Sequence, residues 1–254
     1  MSSIARLRSV VVALFLLFSP VLLAQSEPTQ QQLDQLRERL SLSLQVATAN
    51  QLRIARLTAT AMANIIEVEL DTGEILYSSI EGDFVFAGDL FEASDSGLLN
   101  LSAQRRQVKN LERIQAIPVE EMIVFSPPET RAVITVFTDV DCQYCRALHR
   151  DMEKLMALGI EVRYLAYPRG GEQAASFAKM NSVWCSEDRQ KALTQAKNGQ
   201  NLPQLECDNP VLKHYTIGNS IGIAGTPAIL LPDGALVPGY VESDRLAAML
   251  GLAD

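Results

Sequence analysis

The run from Ala132 to Ala166 constrains this chain more than any other stretch. Residues 132–138, Ala-Val-Ile-Thr-Val-Phe-Thr, are rich in β-branched and aromatic side chains and read as a strand. Residues 143–158 read as a helix, and residues 160–166 as a second strand. A strand, a helix and a strand with so short a return to the sheet form a parallel βαβ unit, which puts the C-terminal half in the α/β class. Cys142 and Cys145 fall where the first strand hands over to the helix.

Around that unit the chain divides into further pieces. Helices are expected near 172–183, 187–197 and 209–221. A hairpin of 228–231 and 235–237 turns about Pro232-Asp233-Gly234, and a last helix covers 243–250. Towards the N-terminus, leucines at 33, 36, 40 and 44 predict an amphipathic helix over 30–45. Strands at 64–70, 75–79 and 83–87 follow, the first two joined by Asp71-Thr72-Gly73. They predict a small antiparallel sheet whose exposed edge either pairs with a second copy of the chain or stays solvated. Residues 102–116 read as a mostly solvated connecting helix, with Pro118 stopping it. The expected organisation is an N-terminal α+β domain over 25–98, a linker helix over 99–118 and a catalytic α/β domain over 119–254.

Arg6 and Arg8 precede an apolar run from Val10 to Leu23, and the small Ala24 is followed by polar residues. This is the form of a secretory signal peptide over 1–24; the run is shorter than the roughly 20 residues of a bilayer span. An uncleaved anchor is the alternative. Removing the leader takes away two arginines and makes the formal charge of −8 more negative, which argues against nucleic acid as a partner.

Export makes disulfides chemically permissible, so the four cysteines need individual placement. Cys142 lies at or just before a helix N-terminus, where unpaired N–H groups favour the thiolate, the form that attacks disulfides. Cys142 is therefore the expected nucleophile. Cys145, one turn further on, is the expected resolving thiol. A zinc site needs four ligands, whereas Cys185 and Cys207 are 22 residues apart and His149 and His214 show no ligand spacing, so no metal is expected. His149 either tunes the site or is an ordinary exposed helix residue. Cys185 and Cys207 most simply bond each other; a second redox-active pair is the competing reading. Thr226-Pro227 follows Gly222-Ile223-Ala224-Gly225 and leads into a strand. Its peptide is either cis in a tight turn or trans at a strand opening.

These segments resemble a known family. The run from Val133 to Cys145, Val162-Arg163-Tyr164-Leu165-Ala166-Tyr167-Pro168-Arg169, Trp184-Cys185, Gly225-Thr226-Pro227-Ala228 and Leu236-Val237-Pro238-Gly239-Tyr240 are similar to the DsbC family, the periplasmic disulfide isomerases of Gram-negative bacteria. The resemblance implies a thioredoxin-like fold with a helical insertion, an N-terminal dimerisation domain, a linking helix and a V-shaped homodimer without cofactor. It assigns attack to Cys142, resolution to Cys145, a structural bridge to Cys185 and Cys207, and a substrate-holding cis-proline loop to Thr226-Pro227. It also implies misfolded exported proteins as clients and a membrane reductase of the DsbD type as partner. Gln143-Tyr144 departs from the Gly-Tyr more usual between the two cysteines and bears on the redox potential. Related activities left open are a DsbG-like reductase, a DsbA-like oxidase and a dimeric holdase chaperone with secondary redox activity.

Overall fold

The computed structural model describes residues 27–49, 51–95 and 97–252; the leader read over 1–24 lies outside them. Helix α1 (Gln30–Thr48) starts at a reciprocal cap between Thr29 and Gln32 and buries Leu36 and Leu40. Four antiparallel strands follow in the order of the chain: β1 (Ile54–Ala59), β2 (Ile65–Leu70), β3 (Ile75–Ser79) and β4 (Val85–Ala87). Strand β2 alternates between two buried faces. Ile66, Val68 and Leu70 meet Leu36 and Leu40 of α1, while Glu67 and Glu69 point the other way. A two-stranded hairpin, β5 (Phe91–Ser94) and β6 (Gly97–Asn100), then leads into α2 (Leu101–Gln115). The Asn100 side chain caps α2 by accepting from the Ala103 amide at 2.8 Å.

Helix α2 is far less solvated than its composition suggests. Lys109 meets Glu69 at 2.5 Å and Glu67 at 3.6 Å, and Arg113 reaches both Glu69 and the Ser220 carbonyl. Ile114, with Ile117 just beyond, enters an apolar cluster with Phe137, Leu165, Tyr167 and Leu230. The face that packs is therefore the one holding Ser102, Lys109, Asn110 and Ile114, while Val108 is exposed. The physical reason is charge pairing: the acidic face of β2 recruits the cations that made α2 look like a surface helix.

The C-terminal unit has a five-stranded sheet built from β7 (Ile123–Phe125), β8 (Ala132–Thr138), β9 (Ile160–Ala166), β10 (Ala228–Leu230) and β11 (Leu236–Pro238), in the order β11-β10-β8-β9-β7. Strands β8 and β9 run parallel and the other pairs antiparallel. Ile134, Val136, Val162 and Tyr164 face one apolar cluster, and Phe137 and Leu165 the opposite one, so the two central strands are covered on both sides.

The helices around this sheet are α3 (Gln143–Arg150), α4 (Met152–Ala157), α5 (Phe177–Trp184), α6 (Arg189–Lys197), α7 (Val211–Ser220) and α8 (Ser243–Met249). The single helix expected over 143–158 is interrupted at Asp151, whose carboxylate accepts from the Tyr240 hydroxyl at 2.6 Å. The helix expected from 172 starts at Phe177, because Gly170 and Gly171 take left-handed backbone angles that start only a short 3₁₀ turn. Helices α5 to α7 form the insertion between β9 and β10. The Cys185–Cys207 disulfide closes a loop across it, with a sequence separation of 22.

Candidate active site

Strand β8 delivers the chain to the site. At its end Thr138 is fully buried, and the next residue, Asp139, is 2% exposed and fastens the loop. One carboxylate oxygen of Asp139 accepts from the Asp141 amide at 2.8 Å. The other accepts from the Arg169 amide at 2.9 Å and the Ser176 hydroxyl at 3.0 Å. Cys142 is then the N-cap of α3, and Cys145 sits one turn in, completely buried. Neither cysteine is disulfide-bonded here.

Opposite Cys142 lies the turn before β10. The Thr226-Pro227 peptide is cis, and the Cys142 thiol donates to the Thr226 carbonyl oxygen across 3.2 Å. Between the cysteines the Tyr144 ring is 56% exposed, leaving an aromatic surface beside a buried sulfur. Asp141 is held by Arg146 at 3.3 Å and Lys179 at 2.8 Å, on the side of the insertion.

The two sulfurs have opposite acidities. Cys142 is drawn down to about 5, first by the hydrogen bond that the Cys145 thiol offers its anion. Burial opposes this, and the Thr226 side chain and the backbone N–H groups of Cys145 and Tyr144 add to it. Among the described residues the buried Thr226 hydroxyl has no hydrogen-bond partner, which leaves it free to donate to the anion. Burial pushes Cys145 far up, and the neighbouring Cys142 raises it further; Lys197 and Thr138 act in the other direction. Cys142 is thus an anion at neutral pH and Cys145 a thiol.

The structure brings together the sequence-predicted residues Cys142, Gln143, Tyr144, Cys145, Thr226 and Pro227. It places Cys185 and Cys207 apart from them, bonded to each other. His149 departs from the exposed helix residue weighed above. It is 8% exposed, shares hydrogen bonds with Tyr164 at 3.2 Å and Thr194 at 3.0 Å, and packs edge-on against Phe125. Burial, with help from Lys197, lowers its pKa to about 4, so it is a neutral core histidine. Sequence reasoning passed over Asp139, Thr138 and Lys197. For Lys197 there was a signal: it lies four residues after Leu193, on the apolar face of its helix.

An activated cysteine at a helix N-terminus, its partner buried one turn on, and a cis-proline turn against the sulfur define the thioredoxin-fold class of thiol–disulfide oxidoreductases. Within that class, residues 119–253 match the model of a thioredoxin-like domain, and residues 24–103 match that of the disulfide bond isomerase protein N-terminal domain. The thiol:disulfide interchange protein DsbC of Dickeya dadantii is 40% identical over 176 residues, covering 69% of this chain and 72% of that relative. DsbC of Escherichia coli K12 is 37% identical over 181 residues, 71% and 75% of the two chains. A crystal structure of a disulfide interchange protein from Neisseria gonorrhoeae superposes with a TM-score of 0.49 at 26% identity, covering 54% of this chain and all of that one. The chain belongs to the DsbC family of thiol:disulfide interchange proteins.

Proposed function

We propose that this protein is an exported, homodimeric disulfide isomerase acting on wrongly bonded exported proteins. The observation that carries the reading is the placement of the Cys142 sulfur at the N-cap of α3, 3.2 Å from the Thr226 carbonyl oxygen of the cis Thr226-Pro227 turn, where its pKa is drawn down to about 5. The Cys142 thiolate attacks a client disulfide, forms a mixed disulfide, and one client sulfur leaves as thiolate. If another client thiolate then attacks the mixed disulfide, Cys142 is released as thiolate and the client has exchanged one bond for another with no net redox change. If Cys145 attacks instead, the client leaves reduced and Cys142–Cys145 is oxidised. A membrane reductase of the DsbD type then returns the pair to dithiol. Thr226 and Pro227 hold client backbone, Tyr144 offers it an apolar surface, and Gln143 helps set thiolate stability.

Support for the dimer comes from the edge strand β4, where Val85 and Phe86, with Phe84 just before them, are exposed together. Support for periplasmic export comes from the leader over 1–24, and the mature chain is expected to begin at Gln25, which intact-mass measurement checks. The domain division follows the same reading, with α2 as linker between a dimerisation unit and the catalytic unit. The deciding experiment is rescue of scrambled ribonuclease. Wild-type protein restores ribonuclease activity in a reducing buffer and Cys142→Ala does not; equal rescue by the two sinks the proposal.

A further inference from the structure

Lys197 ends helix α6 and is 3% exposed, yet among the described residues it makes no ion pair. Its ammonium donates to the Thr138 hydroxyl at 2.7 Å and lies 5.3 Å from the centroid of the Tyr164 ring. Thr138, the last residue of β8, in turn offers its side chain as hydrogen-bond partner to Cys145. A buried ammonium with no carboxylate in ion-pair contact is expensive, so its position beneath the reactive pair calls for a use. The charged and titratable groups facing it are Cys142, Cys145, Arg146 and His149 from α3 and its N-terminus, Asp139 from the loop, and Tyr164 from β9.

We propose that Lys197 is the proton partner of Cys145, positioned to act through the Thr138 hydroxyl in the resolving step. This rests on the assignment of Cys142 as nucleophile and Cys145 as resolver. When Cys145 attacks the mixed disulfide, its sulfur pair forms the bond to the Cys142 sulfur, and the client sulfur leaves with the electrons of the broken bond. The Cys145 proton passes to the Thr138 oxygen as the Thr138 proton passes to the neutral Lys197 amine. When an incoming thiolate later attacks Cys142 and expels Cys145, the same two transfers run backwards and the ammonium reprotonates the buried sulfur. Burial lowers the Lys197 pKa to about 8, against the opposing pull of Cys145, Cys142 and Asp139, which makes both protonation states accessible near neutral pH.

The test mixes reduced protein with an aromatic disulfide that releases a coloured thiolate. Attack by Cys142 gives a first, concentration-dependent phase, and ring closure by Cys145 gives a second, first-order phase. In the wild type the second phase is expected to quicken with pH and level off above about 8, as Lys197 becomes a free amine. In Lys197→Met it should slow about tenfold or more at neutral pH relative to the first phase. It should also lose the plateau and keep rising with hydroxide, because Cys145 itself ionises only at high pH. Lys197→Arg keeps the charge but cannot accept a proton, and Thr138→Val cuts the relay; both should match the Met variant. The proposal is overturned by a wild-type second phase without that plateau, by a second phase in Lys197→Met that slows no more than the first, or by wild-type rates in Lys197→Arg or Thr138→Val. The wild-type profile decides the matter even if a variant does not fold. If instead the first phase persists in Cys142→Ser, it is the nucleophile assignment that fails.

Discussion

Cys142 and Cys145 share one helical turn and both are buried, yet Cys142 caps the helix while Cys145 lies inside its first turn. The contrast yields a prediction with a definite sign. A thiol whose pKa falls to about 5 is an anion above that pH and becomes a neutral thiol below it. Iodoacetamide should therefore modify reduced Cys142 at a rate that is flat near neutral pH and falls as pH drops through about 5. Thr226→Val removes one donor to the anion, worth on the order of 1 kcal/mol, and should move that midpoint up by about one pH unit. An unchanged midpoint in the variant would assign the acidity to Cys145 and the helix backbone alone. The reactive cysteines and the Thr-Pro turn were legible in the sequence because their residue types carry chemistry and their positions follow from a strand meeting a helix. Asp139 and Lys197 were not. A lone charged residue reads as surface, and only the packing of α6 against β8 and β9 reveals a lysine with its ammonium in the core.

Among the elements, those with strong periodicity stand where the sequence put them: α1, β2, β3, β8, β9 and the β10–β11 hairpin. The pieces missed are short or weakly patterned. Strand β1 has an irregular register against β2 between Ile54 and Arg56, and β7 is three residues long, drawn into the sheet by β9. The insertion has its own constraint. The segment after Asn198 carries little regular structure before α7, and the Cys185–Cys207 bond ties it to the end of α5. Closing a loop of this size stabilises by about 3 kcal/mol in chain-entropy terms. The double variant Cys185→Ala, Cys207→Ala should therefore lose roughly that much in urea unfolding while Cys142 keeps its acidity. A large loss of Cys142 reactivity in that variant would instead show that the bridge shapes the reactive centre, through α6 and the contact of Lys197 with Thr138.

Across the whole molecule, α2 meets the acidic face of β2 by charge and the apolar cluster of the catalytic sheet through Ile114. That arrangement gives the exposed edge of β4 a consequence for activity. Val85 and Phe86 lie together there, with Phe84 just before them, and Val85 pairs with Ser78 of β3 while its other side is open. A second copy added antiparallel to β4 would continue the sheet across the two chains and cover these side chains. A lysine on an edge strand blocks such pairing by forcing a charge into the joint. Val85→Lys is therefore expected to halve the mass seen by light scattering without lowering the cooperativity of unfolding. Because Cys142 lies in the other unit, its alkylation rate should stay within the wild-type range. Ribonuclease rescue should fall several-fold, since a client must be held through repeated exchanges and a single catalytic unit offers it one short surface around Tyr144. A wild-type protein that scatters as a monomer, or a monomeric Val85→Lys that rescues ribonuclease fully, would place isomerisation within the single chain and leave the exposed face of β4 to another partner.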